Sequence, residues 1–374
     1  MNKPSSYIYI FILVVAANAS YLGTVSYAAI LILILISLFT NRLNSGALLL
    51  LFMTLSLVLF NTVRIFIDGK KVDMVVYNFL LQLIFLLTLD YSSIVLRYVF
   101  IRALQLQIFL SATLAIFGIL FNEHSMFIDA GHAKGFEGML ALRGIFSTPQ
   151  LMASICLAML FLSSSRIVIG NRTQLVGKFL SAIMLVFTIN RINFIFLFIL
   201  ALFKANFNFK GKLTWQFIKL LSPLITVSLV LISLQLIDYT QINLQTLQSR
   251  MFLLNGVLSE INFNSFVSVL FGDFSTIHFY IPQYQVDIDY VENGFLFLFK
   301  YFGVVGLIAY IVIGAALSVN AFKKHFVPGL YVVFYLFVVQ NFTNEFVSFV
   351  FPQVMFLILS YTHTSARQQV IRTH

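Results

Sequence analysis

The chain has 374 residues, of which 60% are hydrophobic and only 10% charged, and its mean hydropathy is +0.97. Soluble domains carry about 25% charged residues, so a soluble globule is excluded and an all-α, polytopic integral membrane protein is expected. The formal net charge of +10 reflects Lys and Arg held in cytoplasmic loops; it does not imply nucleic acid as a partner.

The first apolar run, near 6–20, ends in Ala16-Ala17-Asn18-Ala19-Ser20, which resembles a signal-peptidase site. Only Lys3 precedes it and many spans follow, so a retained first helix is expected. Further runs of spanning length lie near 24–40, 46–66, 73–90, 98–121, 149–164, 174–189, 191–203, 215–237, 291–319, 327–343 and 345–361. Together they predict about twelve transmembrane helices forming a single transmembrane domain over residues 1–374. Aromatic residues number 43 Phe and 16 Tyr against one Trp, so the interfacial belts must be built from Phe and Tyr. Cys156 sits alone inside an apolar run and reads as a packing residue, with no CxxC or disulfide framework. No GxxxxGK[ST] loop is present.

With a cytoplasmic N-terminus, alternation of the spans places fifteen Lys and Arg inside and eight outside, Arg97 among the former and Arg64, Lys70, Lys71 and Lys300 among the latter. Every acidic residue except Asp90 then falls outside. That asymmetry is the positive-inside pattern. Three features reach the outer side: the loop Asn122–Thr148, the tight turn Thr188–Asn193, and a long hydrophilic loop over 238–290, between the ninth and tenth spans. A membrane protein turns a corner in a few residues, so a loop of that length is expected to have a function of its own.

The outer side carries the candidate chemistry. Arg191 stands between two apolar runs with Asn190 and Asn193, a polar cluster for which lipid alone gives no reason. Arg143 follows a glycine-rich loop (Gly131, Gly135, Gly138) and precedes Ser147-Thr148-Pro149-Gln150 at a helix start. Arg250 opens the run Met251, Phe252, Leu253, Leu254, Val257, Leu258, Ile261, which predicts an amphipathic helix lying on the membrane. Guanidinium groups bind phosphate oxygens bidentately and keep their charge, so several on one face form a pyrophosphate clamp. Arg191 and Arg250 also have a plainer use, contact with lipid headgroups, and the plainer reading of Arg143 is a surface charge. Among the loop carboxylates Asp273, Asp287, Asp289 and Glu292, the last lies at the membrane edge in Glu292-Asn293-Gly294, where partial desolvation suits general-base work. His278 is an alternative base or a substrate contact. His124, Asp129 and His132 share a loop without ligand spacing, so no metal is expected.

Taken together, Arg143-Gly144-Ile145-Phe146-Ser147-Thr148-Pro149-Gln150, Thr188-Ile189-Asn190-Arg191, Gln248-Ser249-Arg250, Leu270-Phe271-Gly272, and Glu292-Asn293-Gly294-Phe295 with Tyr301-Phe302-Gly303-Val304-Val305-Gly306-Leu307 resemble the motifs of the O-antigen polymerase (Wzy) and O-antigen ligase superfamily, over roughly residues 140–310. Where ligases carry His before Asn this chain has Glu292, and Ser147–Gln150 lacks the family's asparagines; the first departure favours a polymerase. The resemblance implies a membrane glycosyltransferase of GT-C type in the bacterial inner membrane, working at the periplasmic face without metal or cofactor. It would join undecaprenyl-pyrophosphate-linked oligosaccharide repeat units among membrane lipids, beside a flippase and a chain-length regulator of the Wzz type. Arg191, Arg250 and Glu292 would be catalytic, and Arg143, Asn190, Asn193, Asn293 and His278 would bind substrate. The alternatives are an O-antigen ligase and a lipid-linked oligosaccharide flippase or transporter, for which internal repeats and broken or charged helices near the bilayer midplane are expected.

Overall fold

The computed structural model describes residues 3–40, 45–129, 140–162, 171–206, 245–281 and 285–363. In chain order its helices are α1 (Lys3–Ala16), the single turn α2 (Ala19–Leu22), α3 (Thr24–Thr40), α4 (Ser45–Ile67), α5 (Met74–Thr88), α6 (Ile94–Leu120), α7 (Pro149–Leu162), α8 (Asn171–Phe187), α9 (Arg191–Asn206), α10 (Gln245–Ser259), α11 (Phe266–Phe271), α12 (Gly294–Phe322), α13 (Phe326–Val333) and α14 (Val350–His363). A π-helical stretch, Phe334–Val339, and a closing turn, Gln340–Phe342, extend α13. Two antiparallel hairpins interrupt the helices. β1 (Phe127–Asp129) pairs with β2 (Leu140–Leu142), and β3 (Phe279–Ile281) with β4 (Val286–Ile288).

Three of the described helices are long and apolar enough to cross a membrane: Leu48–Ile67 within α4, all of α6, and α12. Eight further apolar helices run 10–17 residues, shorter than the ~20 that span a bilayer without thinning or re-entry. α4 shows most plainly which solvent this surface is made for. Phe52 and Phe66 are 70% and 83% exposed, an arrangement costly in water and natural against lipid. The chain is a mostly helical protein suited to a membrane.

The chain divides into two compact units. In the first (1–27, 92–246 and 363–374), α6 packs against α1, α7 and α8. Gly177 lets α8 close on its neighbours, since a Cβ there would meet Gln105 at 2.8 Å and Met159 at 2.9 Å. Cys156 is fully buried in α7, as its place in an apolar run predicts. In the second unit (28–91 and 247–362), α12 packs against α13 and α11 around an aromatic core. Phe79 meets Phe297, Phe302 and Phe346 with ring centroids 5.4–5.6 Å apart and steep interplanar angles, the edge-to-face geometry that ring quadrupoles favour.

Several boundaries differ from the sequence reading, for local reasons. α6 begins at Ile94 because the Ser93 side chain accepts from Leu96 N. Arg97, expected in a cytoplasmic loop, therefore stands in its first turn, 6% exposed, and donates to the Leu162 carbonyl at 3.4 Å. That carbonyl is at the end of α7, where helix oxygens lack intrahelical partners. The helix expected over 345–361 starts only at Val350, after a buried 3-10 turn, Glu345–Val347. The helix expected over 291–319 begins at Gly294 and is broken at Gly303, whose φ is 65°. Its later part, 304–322, is about 28 Å long at ~1.5 Å per residue, enough for a core of ~30 Å. The long loop carries α10, α11 and the β3–β4 hairpin. The span expected over 215–237 lies outside the described residues.

Candidate functional site

In the first unit Arg143 and Arg191, both expected on the outer side, have different surroundings. Arg143 follows β2, and its Nε and Nη2 both donate to the Ser125 carbonyl, at 2.9 and 2.8 Å. Its guanidinium lies 5.3 Å from the Tyr21 ring, whose hydroxyl donates to the same carbonyl at 2.9 Å. Gly144 turns the chain with φ 61°, and a Cβ there would run into Ser111. Arg143 thus ties the 125–144 loop to Tyr21, a structural use that engages two of its five donors.

Arg191 is the first residue of α9 and is exposed. The turn before it is tight. Thr188 N returns to Met184 O and Ile189 N to Val186 O, closing α8, and Ile189 then takes φ 46°. A β-branched residue in the left-handed region costs about 1–2 kcal/mol, and such strain persists where a geometry is needed. The Asn190 side chain accepts from Ile192 N at 3.2 Å and so caps α9. Asn193 is 2% exposed. Asn190 builds the turn, Asn193 is buried beside it in sequence, and Arg191 is what the turn presents. A cation at a helix N-terminus is disfavoured by the macrodipole, while an anion there would be attracted by both.

In the second unit a cavity of about 210 Å³ is lined by Met251, Leu253, Leu254 and Val257 of α10, by Val291, Glu292, Asn293 and Leu296, and by Asn341 and Phe342. Arg250 stands in α10 immediately before Met251. Asn293 caps α12, its Oδ1 accepting from Phe295 N and Leu296 N at 2.8 and 3.0 Å, while its amide nitrogen donates to Asn341 O at 2.6 Å and Asn341 Oδ1 at 2.7 Å. Both polar ends of Asn293 are occupied in holding the wall. Glu292 is the acidic group of the cavity. Its charge, after burial and together with Asp289, holds the Tyr290 hydroxyl above its ordinary pKa. His278 is exposed and faces Asp287 of the β3–β4 hairpin at 3.8 Å, a surface contact of little energetic weight.

The same unit holds a second polar cluster, which composition and spacing did not single out as a group. Asp273 is within 4 Å of three cations, Arg64 (3.8 Å), Lys70 (3.5 Å) and Lys300 (3.9 Å), and accepts from Ser275 N at 2.9 Å. Lys300 is fully enclosed and donates to Ser275 Oγ at 3.1 Å. The Tyr301 hydroxyl donates to Asp73, the cap of α5. Burial alone would raise the Asp273 carboxyl, but Lys300, the Ser275 donors and Lys70 outweigh it and hold the pKa below the usual carboxylate value. Two family-like motifs meet here: a Cβ on Gly272 would strike the backbone of Tyr301 and Phe302, and one on Gly303 that of Leu270 and Phe271. Leu270–Gly272 and Tyr301–Gly303 therefore serve close backbone packing.

Compared with protein-family models, curated proteins and solved structures, the chain matches none. The site is accordingly argued from its own residues. Among the described residues no group of three or more His, Cys, Asp or Glu could hold a metal ion; His132, Gly131, Gly135 and Gly138 lie outside them. Each unit contributes part of the candidate set, with Arg143, Asn190, Arg191 and Asn193 in the first and Arg250, His278, Glu292 and Asn293 in the second. The sequence reading missed the cluster of Arg64, Lys70, Asp73, Asp273 and Lys300. Its one legible signal was a lysine, Lys300, inside an apolar run.

Proposed function

We propose that the chain is an O-antigen polymerase of GT-C type, a glycosyltransferase of the bacterial inner membrane with about twelve spans and its active face in the periplasm. The observation that carries this reading is the cavity between α10, the helix of Arg250, and the Glu292–Asn293 edge of α12. The residues of α10 that follow Arg250 face the Glu292–Asn293 motif there, around one carboxylate. In the proposed reaction Glu292 takes the proton from an acceptor hydroxyl of the incoming lipid-linked repeat unit. The acceptor oxygen bonds to the anomeric carbon of the growing glycan, and the bond from that carbon to the pyrophosphate oxygen breaks. Undecaprenyl pyrophosphate leaves with the electron pair, and Arg250 balances its charge, an electrostatic contribution that grows in the transition state and asks for no metal; Arg191, in the first unit, is a second candidate phosphate ligand. Purified protein given lipid-linked repeat units should make laddered products, in chelator as well as without it. Transfer to lipid A core alone would mean a ligase.

A transporter reading has one observation in its favour, the break of α12 at Gly303 beside the enclosed Lys300, since transporters use discontinuous helices. Movement of lipid-linked oligosaccharide across a vesicle membrane with no new glycosidic bond would establish it.

A further inference from the structure

The short helix before the break, 294–302, is held at both ends, and this makes it a strut. At its N-terminal end lie Glu292 and Asn293, with Asn293 bonded to Asn341 across the cavity. Gly294 is pressed so closely on the Gln340 carbonyl and the Phe346 ring that a Cβ would come within 2.6 and 2.8 Å of them. At its other end the Lys300 carbonyl accepts from Asp273 N at 2.7 Å, the Lys300 side chain meets Ser275 and Asp273, and Tyr301 reaches Asp73. The partners at that end are themselves tied together, by Asp73 N to Phe274 O at 2.8 Å, Thr276 N to Lys71 O at 3.0 Å, and Arg64 to Gly272 O at 2.8 Å. A nine-residue helix is about 13 Å long at ~1.5 Å per residue, so a tilt allowed at the Lys300 end is transmitted to the Glu292 end.

We propose that Asp273, through Lys300, and Asp73, through Tyr301, are positioning residues for Glu292: the latch at the break fixes where the cavity's carboxylate stands against α10. The catalytic consequence rests on the reading of Glu292 as the general base; the geometric consequence does not. Three features argue for positioning over simple stabilisation. The latch acts on one rigid element, its contacts fall on Lys300 and Tyr301 in the last turn of that element, and the other end of the same element is the cavity wall. An enclosed lysine whose carboxylate is removed must shift or lose its proton, and the strut is what would move.

The test uses the full chain in nanodiscs, with Cys156→Ala and spin labels at Met251→Cys and Leu296→Cys, on facing walls of the cavity. The inter-label distance is read by pulsed electron spin resonance. With the latch intact one narrow distribution is expected; Asp273→Asn and Tyr301→Phe should each broaden and shift it. Lys324→Met, which removes a 2.6 Å contact to the Tyr361 carbonyl beyond the break, should leave it narrow. An unchanged distribution in both latch variants overturns the inference, and so does equal broadening in Lys324→Met. Tyr301→Phe keeps the test open if Asp273→Asn fails to fold. In unlabelled protein the latch variants should lower kcat about tenfold with KM within about twofold. If the wild type makes no polymer, the function fails while the distance measurement still judges the strut.

Discussion

Arg143 and Arg191 belong to the same unit, flank helix starts, and read alike in sequence, yet the structure uses them differently. Arg143 gives two donors to one backbone carbonyl and its face to Tyr21. Arg191 is exposed at the head of α9, after a turn strained at Ile189. The second unit repeats the contrast with acids, Asp273 being surrounded by three cations and Glu292 lining a cavity. A charge that the fold surrounds holds the fold; a charge that the fold presents is the one to suspect of chemistry.

Mutations can break or sharpen that contrast. The largest effect is expected at the latch. Asp273→Asn removes the carboxylate beside the enclosed Lys300 and should cost about 3 kcal/mol or more of stability, read as a lower unfolding midpoint in detergent. The pH dependence has a definite sign. The Asp273 pKa is lowered in the fold, so its stabilisation is complete above the unfolded value of ~3.9 and is lost as pH falls through the lower folded value. Between pH 5 and 3 the wild-type midpoint should fall by more than that of Asp273→Asn; parallel curves would mean that the cations hold nothing.

Next is Arg191→Lys. An anchoring lysine reaches headgroups as well as arginine does, whereas a bidentate phosphate contact does not survive the exchange. Long-chain product should drop about tenfold, equivalent to ~1.4 kcal/mol of transition-state stabilisation, with insertion unchanged. Arg143→Lys should do the reverse, costing about 1 kcal/mol of stability for its lost hydrogen bonds while product changes by less than about twofold. Equal loss of product in both variants would erase the distinction drawn here. His278→Ala should be the mildest, within ~0.5 kcal/mol in stability.

The contrast itself could not be read from the sequence. Apolar runs marked most of the helices because lipid imposes length and hydropathy directly, and Asn190-Arg191 stood out because polar groups between spans need a reason. The partner of Arg143 is a backbone carbonyl, which carries no residue signature. Arg64, Asp73, Asp273 and Lys300 are brought together only by tertiary folding; the first three looked like ordinary loop or edge charges, and Lys300, inside an apolar run, named no partner. The break at Gly303 was hidden because glycine in an apolar run is unremarkable until its φ is known. Asn293, expected to bind substrate, has both polar ends engaged in capping and in Asn341, a use that local spacing alone does not reveal.

The central claim is that Glu292, at the edge of the α10–α12 cavity, removes the acceptor proton in glycan polymerisation. It is tested most directly by incubating purified wild-type protein and Glu292→Gln with lipid-linked repeat units and resolving the products by length. A ladder from the wild type, absent from an equally folded Glu292→Gln, is the predicted result. A full ladder from Glu292→Gln would contradict it.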